Sequence, residues 1–148
     1  MKSKTVQKYL KFSFKKKNTK SNRKLIWDDA PDIKFRVDKL LDGLGIFWVI
    51  KENIFALRSK GTKSKAIARI WGLSSVWQKV LKIKPYYVIE VVSERFDKMS
   101  DKERDKVLLH EIAHIPKNFS GALIPHYKKG NNKFKDLVGK LVKKYMEI

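Results

Sequence analysis

Ser100-Asp101-Lys102-Glu103-Arg104-Asp105-Lys106-Val107-Leu108-Leu109-His110-Glu111-Ile112-Ala113-His114 is the stretch around which the rest of the chain is organised. Ser100 followed three residues later by Glu103 is a capping box, in which each side chain satisfies a free backbone N–H at a helix start. The box predicts a helix from Ser100 to His114 or Ile115, because Pro116 cannot continue one. At about 3.6 residues per turn, His110 and His114 project from one face of that helix, a single turn apart. Two imidazoles so placed can reach one zinc ion at about 2.0–2.1 Å. Glu111, about 100° round the helix from His110, can meet a water on that ion without ligating it. As general base it takes the water's proton and delivers it to a leaving amine. Zinc-dependent peptide hydrolysis is the reaction these parts serve.

Catalytic zinc generally takes three protein ligands and keeps a fourth position open. The chain has three histidines and no cysteine, so a thiolate ligand, a disulfide and a cysteine nucleophile are all excluded. The remaining histidine, His126, is the expected third ligand. It follows a segment, Ile115 to Pro125, whose Pro116, Gly121 and Pro125 allow a turn back toward the helix. Asp136 is the acidic competitor. Tyr127 reads as a packed aromatic with oxyanion contact as the alternative, and Phe119-Ser120-Gly121 as a loop-shaping run. Ser120 has no evident base to make it a nucleophile.

Leu108 to His126, with its His-Glu-Ile-Ala-His-Ile-Pro start, Phe-Ser-Gly centre and closing His, resembles the Putative phage metallopeptidase family. The similarity extends upstream through Tyr86 to Val92 and weakly to Ala30-Pro31-Asp32. The resemblance implies an α+β, minimal zincin-like fold, a small mixed sheet packed on an active-site helix, distantly similar to SprT-like peptidases. It also implies roles for His110, Glu111 and His114 as the core motif and for His126 as the third histidine. Lys117 stands where metzincins carry glycine, and no glutamate occupies the nearby gluzincin position, so neither large clan fits.

The net charge of +20 is unevenly distributed. Residues 1–24 hold ten Lys/Arg and no acid, and are read as a basic, flexible arm preceding a metallopeptidase domain over 25–148. Such an arm suits phosphates, acidic proteins or an anionic surface. A nucleic-acid-associated protein with a structural or vestigial zinc site is therefore the alternative function, and nucleic acid the alternative partner beside a polypeptide substrate. No apolar run approaches the roughly 20 residues that span a bilayer, so no membrane partner is expected and the reading is cytoplasmic.

Elsewhere the pattern is plainer. Asp28 to Asp32 reads as a helix start, and Ile33, Val37, Leu40, Leu41 and Leu44 continue it at helical spacing until Gly43 and Gly45. Ile46 to Ile50 and Ile54 to Arg58 are β-prone runs. Ala66 to Leu73 is expected as a strand followed by a loop or short turn, and Tyr86 to Val92 as the clearest strand, best placed to lie near the active helix. The four tryptophans are expected in the core or a groove wall. Asn131 or Asn132 should open a final amphipathic helix through Met146.

Overall fold

The computed structural model describes residues 24–127 and 129–148. The basic arm, with the nucleic-acid contact expected of it, lies outside the described residues except for Lys24. Within them the fold is α+β, a four-stranded mixed sheet with five α-helices. The strands are β1 (Ile26–Asp29), β2 (Ile54–Lys60), β3 (Ala68–Gly72) and β4 (Tyr87–Val92), in the spatial order β1-β2-β4-β3. β2 and β4 run parallel, and the two outer pairs are antiparallel. The helices are α1 (Pro31–Leu44), α2 (Ser75–Leu81), α3 (Ser93–Phe96), α4 (Asp101–Ala113) and α5 (Lys133–Met146).

β4 lies inside the sheet, between β2 and β3. Tyr87, Ile89 and Val91 alternate onto one fully buried face, and on the other face Val88 is half-buried while buried Glu90 meets Arg69 and the Trp71 indole. The strand expected beside the active helix is thus interior, and β3 is the edge on that side. Ile33, Val37, Leu40, Leu41 and Leu44 of α1 join Leu108, Leu109, Ile112 and Ala113 of α4 and the inward residues of the sheet in one core. Gly45 closes α1 in the left-handed conformation, its N–H bonded back to the last turn. Both halves of the capping box at Ser100 and Glu103 are present.

Four expectations need correction. Of the expected helix entry Asp28 to Asp32, Asp28 and Asp29 belong to edge strand β1, and only Ala30, Pro31 and Asp32 open α1. All four β1 residues are exposed, so the backbone ladder to β2 holds the strand and no apolar alternation reveals it. Ile46 to Ile50 is irregular and leads into a 3-10 turn at Lys51–Asn53; Ile46 and Val49 are buried while Phe47 between them is 91% exposed. The segment after β3 is a helix, α2, none of whose residues is buried. Finally, Trp27, Trp71 and Trp77 are more than half exposed, and only Trp48 packs against the core. Among the described residues, no helix lies over β1, the outer sheet face or α2 to bury large rings.

The loop between α4 and α5 is locked to the sheet end by a close backbone approach. A Cβ built on Gly121, which has φ of +88°, would stand 2.1 Å from the Leu73 carbonyl oxygen. One on Gly72 would stand 2.1 Å from the Gly121 carbonyl oxygen. Gly121→Ala combines a disfavoured φ with overlap against rigid backbone, and should lower the urea unfolding free energy by about 2–4 kcal/mol.

Candidate metal centre

α4 delivers His110 and His114 from one face, a turn apart, as the capping box predicts. His114 is buried and His110 half-buried. Beyond the helix the chain reverses: the Ile124 N–H donates to the His114 carbonyl at 2.8 Å, and His114 Nδ1 meets the Ile124 carbonyl. An imidazole that donates from Nδ1 is fixed in the tautomer whose Nε2 carries a free lone pair. Trp48 Nε1 donates to Ile115 O at 3.3 Å. Buried Tyr87 accepts from Gly121 N at 2.7 Å and donates to Ala122 O at 2.9 Å. Gln78 Nε2 donates to Leu73 O and Ser120 O.

So held, the loop carries His126 back over the helix end. Its Nε2 lies 2.8 Å from that of His110 and 3.2 Å from that of His114. One ligand atom from each of the three histidines falls within 4.8 Å of the others, so the set could hold a metal ion. A tetrahedral cation binding nitrogens at about 2.0–2.1 Å separates them by about 3.3 Å, close to the spacings found. Burial, reinforced by the neighbouring imidazoles, pushes His110 below the ordinary histidine range. His114 is lowered chiefly by burial, against its bond to Ile124. Both therefore offer the neutral form that ligation requires.

The Glu111 carboxylate is not among the clustered ligand atoms. Glu111 is 8% exposed, and burial raises its pKa to about 7, with Arg69 pulling the other way. It lines a cleft of about 460 Å³ with His110, between α4 (Lys106, Val107) and the approach to edge strand β3 (Lys65, Ile67, Ala68). Asp136, the acidic competitor, is an exposed residue in the first turn of α5 and is not in the histidine cluster. Tyr127 is 72% exposed and so is not the packed aromatic expected.

Residues 25–147 match the sequence profile of the family described as Putative phage metallopeptidase. The chain belongs to that family. No curated protein and no solved structure matches the chain. In this family member, several supporting groups had no motif to announce them. Phe134 of α5 stacks on His114 with centroids 4.3 Å apart and meets His110 and His126 edge-on, roofing the cluster. In sequence it is one apolar position of an amphipathic helix. Tyr87 looks like any aromatic strand residue, and the Ile124 carbonyl has no side-chain signature.

Two outcomes follow from this arrangement. Tyr87→Phe removes the hydroxyl that both accepts from and donates to the loop, leaving the buried Gly121 N–H without its partner. It should cost about 1–3 kcal/mol of stability and weaken divalent-metal affinity, read by urea titration and by competition with a chromogenic chelator. Glu111 has its folded pKa raised above its unfolded value, so its ionised form destabilises the fold at pH above about 7. In chelator-treated protein at pH 8, Glu111→Gln should therefore stabilise by about 1–3 kcal/mol. That gain should fade as pH falls from 7 toward the ordinary carboxylate range.

Proposed function

We propose that this chain is a zinc metallopeptidase in which His110, His114 and His126 hold the metal and Glu111 is the general base. The observation that carries this reading is the convergence of three imidazole nitrogens beside a cleft containing a buried carboxylate. Three imidazole nitrogens suit Zn²⁺, a borderline-soft cation accustomed to nitrogen donors. When bound, such an ion polarises a carbonyl and makes a water acidic enough to attack it near neutral pH.

The remaining work belongs to the chain's own groups. Ile124 O holds the His114 ring in orientation and tautomer, and Phe134 keeps the imidazoles packed. Glu111, its pKa near neutrality, can take a proton on a carboxylate oxygen and release it to a departing amine within one turnover. Among the described residues, edge strand β3 pairs with β4 alone, and the backbone groups of its other side would take an extended polypeptide. Ile67, Ala68 and Val107 give the cleft an apolar lining that excludes water around the scissile bond.

Glu111→Gln should keep bound zinc, measured by elemental analysis, while hydrolysis of a denatured protein substrate falls by about 10²–10⁴-fold. Equal activity in that variant would remove Glu111 from the mechanism. His126→Ala should lower zinc affinity by at least about tenfold; unchanged affinity would move the third ligand elsewhere.

A further inference from the structure

α2 is a helix whose side chains have no place in the protein's own core. Val76, Trp77, Val80, Leu81 and the following Ile83 range from 42% to 70% exposed. At spacings of one, three and four residues they make an apolar stripe along the helix and just past its end. Lys79 lies within the helix, Lys82 caps it in the left-handed conformation, and Lys84 follows, all three exposed. Seven residues are too few to form a stable helix in isolation. α2 persists because Gln78 ties it to the loop at Ser120 and to Leu73, and because the chain must turn from β3 into β4.

Its electrostatic surroundings are one-sided. From residue 53 to residue 89 the chain has eight Lys/Arg and no Asp or Glu, and the loop segment 112–135, to which Gln78 bonds, also lacks acids. Of those eight cations, Arg58 pairs with Asp32 and Asp97, Lys60 with Asp28 and Arg69 with Glu90, whereas Lys79, Lys82 and Lys84 beside the stripe have no ion pair among the described residues. The apolar stripe is therefore flanked by three lysines that no acid of the described residues pairs with.

We propose that α2 and the Lys82–Lys84 segment dock this protein peripherally on an anionic lipid bilayer. Val76, Trp77, Val80 and Leu81 would enter the headgroup and acyl boundary, with the lysines held at the phosphates. A bilayer surface offers diffuse negative charge above an apolar interior, the combination this segment presents in mirror image. Single-stranded nucleic acid also meets cations and aromatic rings, but phosphates and bases give four aliphatic side chains little to gain. One seven-residue helix presents far less than the roughly 800 Å² per partner of a standard protein interface, whereas a fluid bilayer needs no matching shape. Tyr86, whose ring lies 5.8 Å from that of exposed Phe55, extends the aromatic surface immediately beyond Lys84.

The test uses the full chain and vesicles of phosphatidylcholine, with and without an equal part of phosphatidylglycerol, some carrying acyl-chain bromine. Residues 1–24 contain no tryptophan, so quenching of tryptophan emission by bromine reports on residues 25–148 and not on adsorption of the arm. Quenching is expected only with the anionic vesicles and should drop sharply in Trp77→Phe. Val80→Glu with Leu81→Glu should lower the partition coefficient at least about tenfold. Both positions are exposed, so folding should survive, as circular dichroism would check. Lys79→Glu with Lys82→Glu should weaken binding and flatten its salt dependence. Vesicle binding without bromine quenching, unchanged by the glutamates, would mean charge adsorption alone and overturn the proposal. So would oligothymidine binding that depends on Lys79 and Lys82 in a protein showing no quenching. A stable dimer that shields Trp77 from acrylamide would likewise assign the stripe to a second copy of the chain.

Discussion

The two-way bond between His114 and Ile124 is the constraint on which the centre depends. The backbone N–H of Ile124 reaches the His114 carbonyl, and the His114 ring reaches the Ile124 carbonyl. A helix end normally leaves its last carbonyls without partners; here one of them anchors the chain that returns to it. The same contact sets the imidazole tautomer and brings His126 within hydrogen-bond distance of both helix histidines. Tyr87, Gly72, Gly121 and Gln78 then fix that loop to the sheet, so that a short irregular segment acquires the rigidity of β4.

Assembling such a centre opposes stability. The His110 and His114 imidazoles and the Glu111 carboxyl are partly removed from water, and burial disfavours the charged form of each, lowering the two histidines and raising the glutamate. In the proposed function these shifts would favour neutral imidazoles at the metal and a carboxylate able to exchange a proton near neutral pH. The core compensates through the buried face of β4 and the apolar faces of α1 and α4. Arg36 joins α1 to Asp101 and Asp105 of α4, and Tyr145 of α5 bonds Asp105, which braces the helices behind the site. The molecule thus separates a well-packed helical side from a sheet face and a helix, α2, that keep large apolar groups in solvent.

Much of this was legible in the chain. The capping box and Pro116 bound α4 by local hydrogen bonding and steric exclusion, and the 3.6-residue period then places His110 and His114 together with no help from the rest of the fold. β4, α1 and α5 announced themselves by apolar pattern because each buries most of one face. β1 and α2 did not, since neither buries anything: one exists by ladder hydrogen bonds and the other by its connection and by Gln78.

Sequence by itself determined the donor chemistry, because three histidines and no cysteine admit only nitrogen and carboxylate ligands, and it determined the helical pair and its neighbouring carboxylate. Only the tertiary structure decided that His126 rather than Asp136 joins the pair, that β3 rather than β4 is the edge beside α4, and that Glu111 is buried. Those outcomes hinge on contacts between residues distant in the chain, Tyr87 with Gly121 and Gly72 with the loop among them. Local propensity and period carry no information about which distant backbone will come within hydrogen-bonding reach.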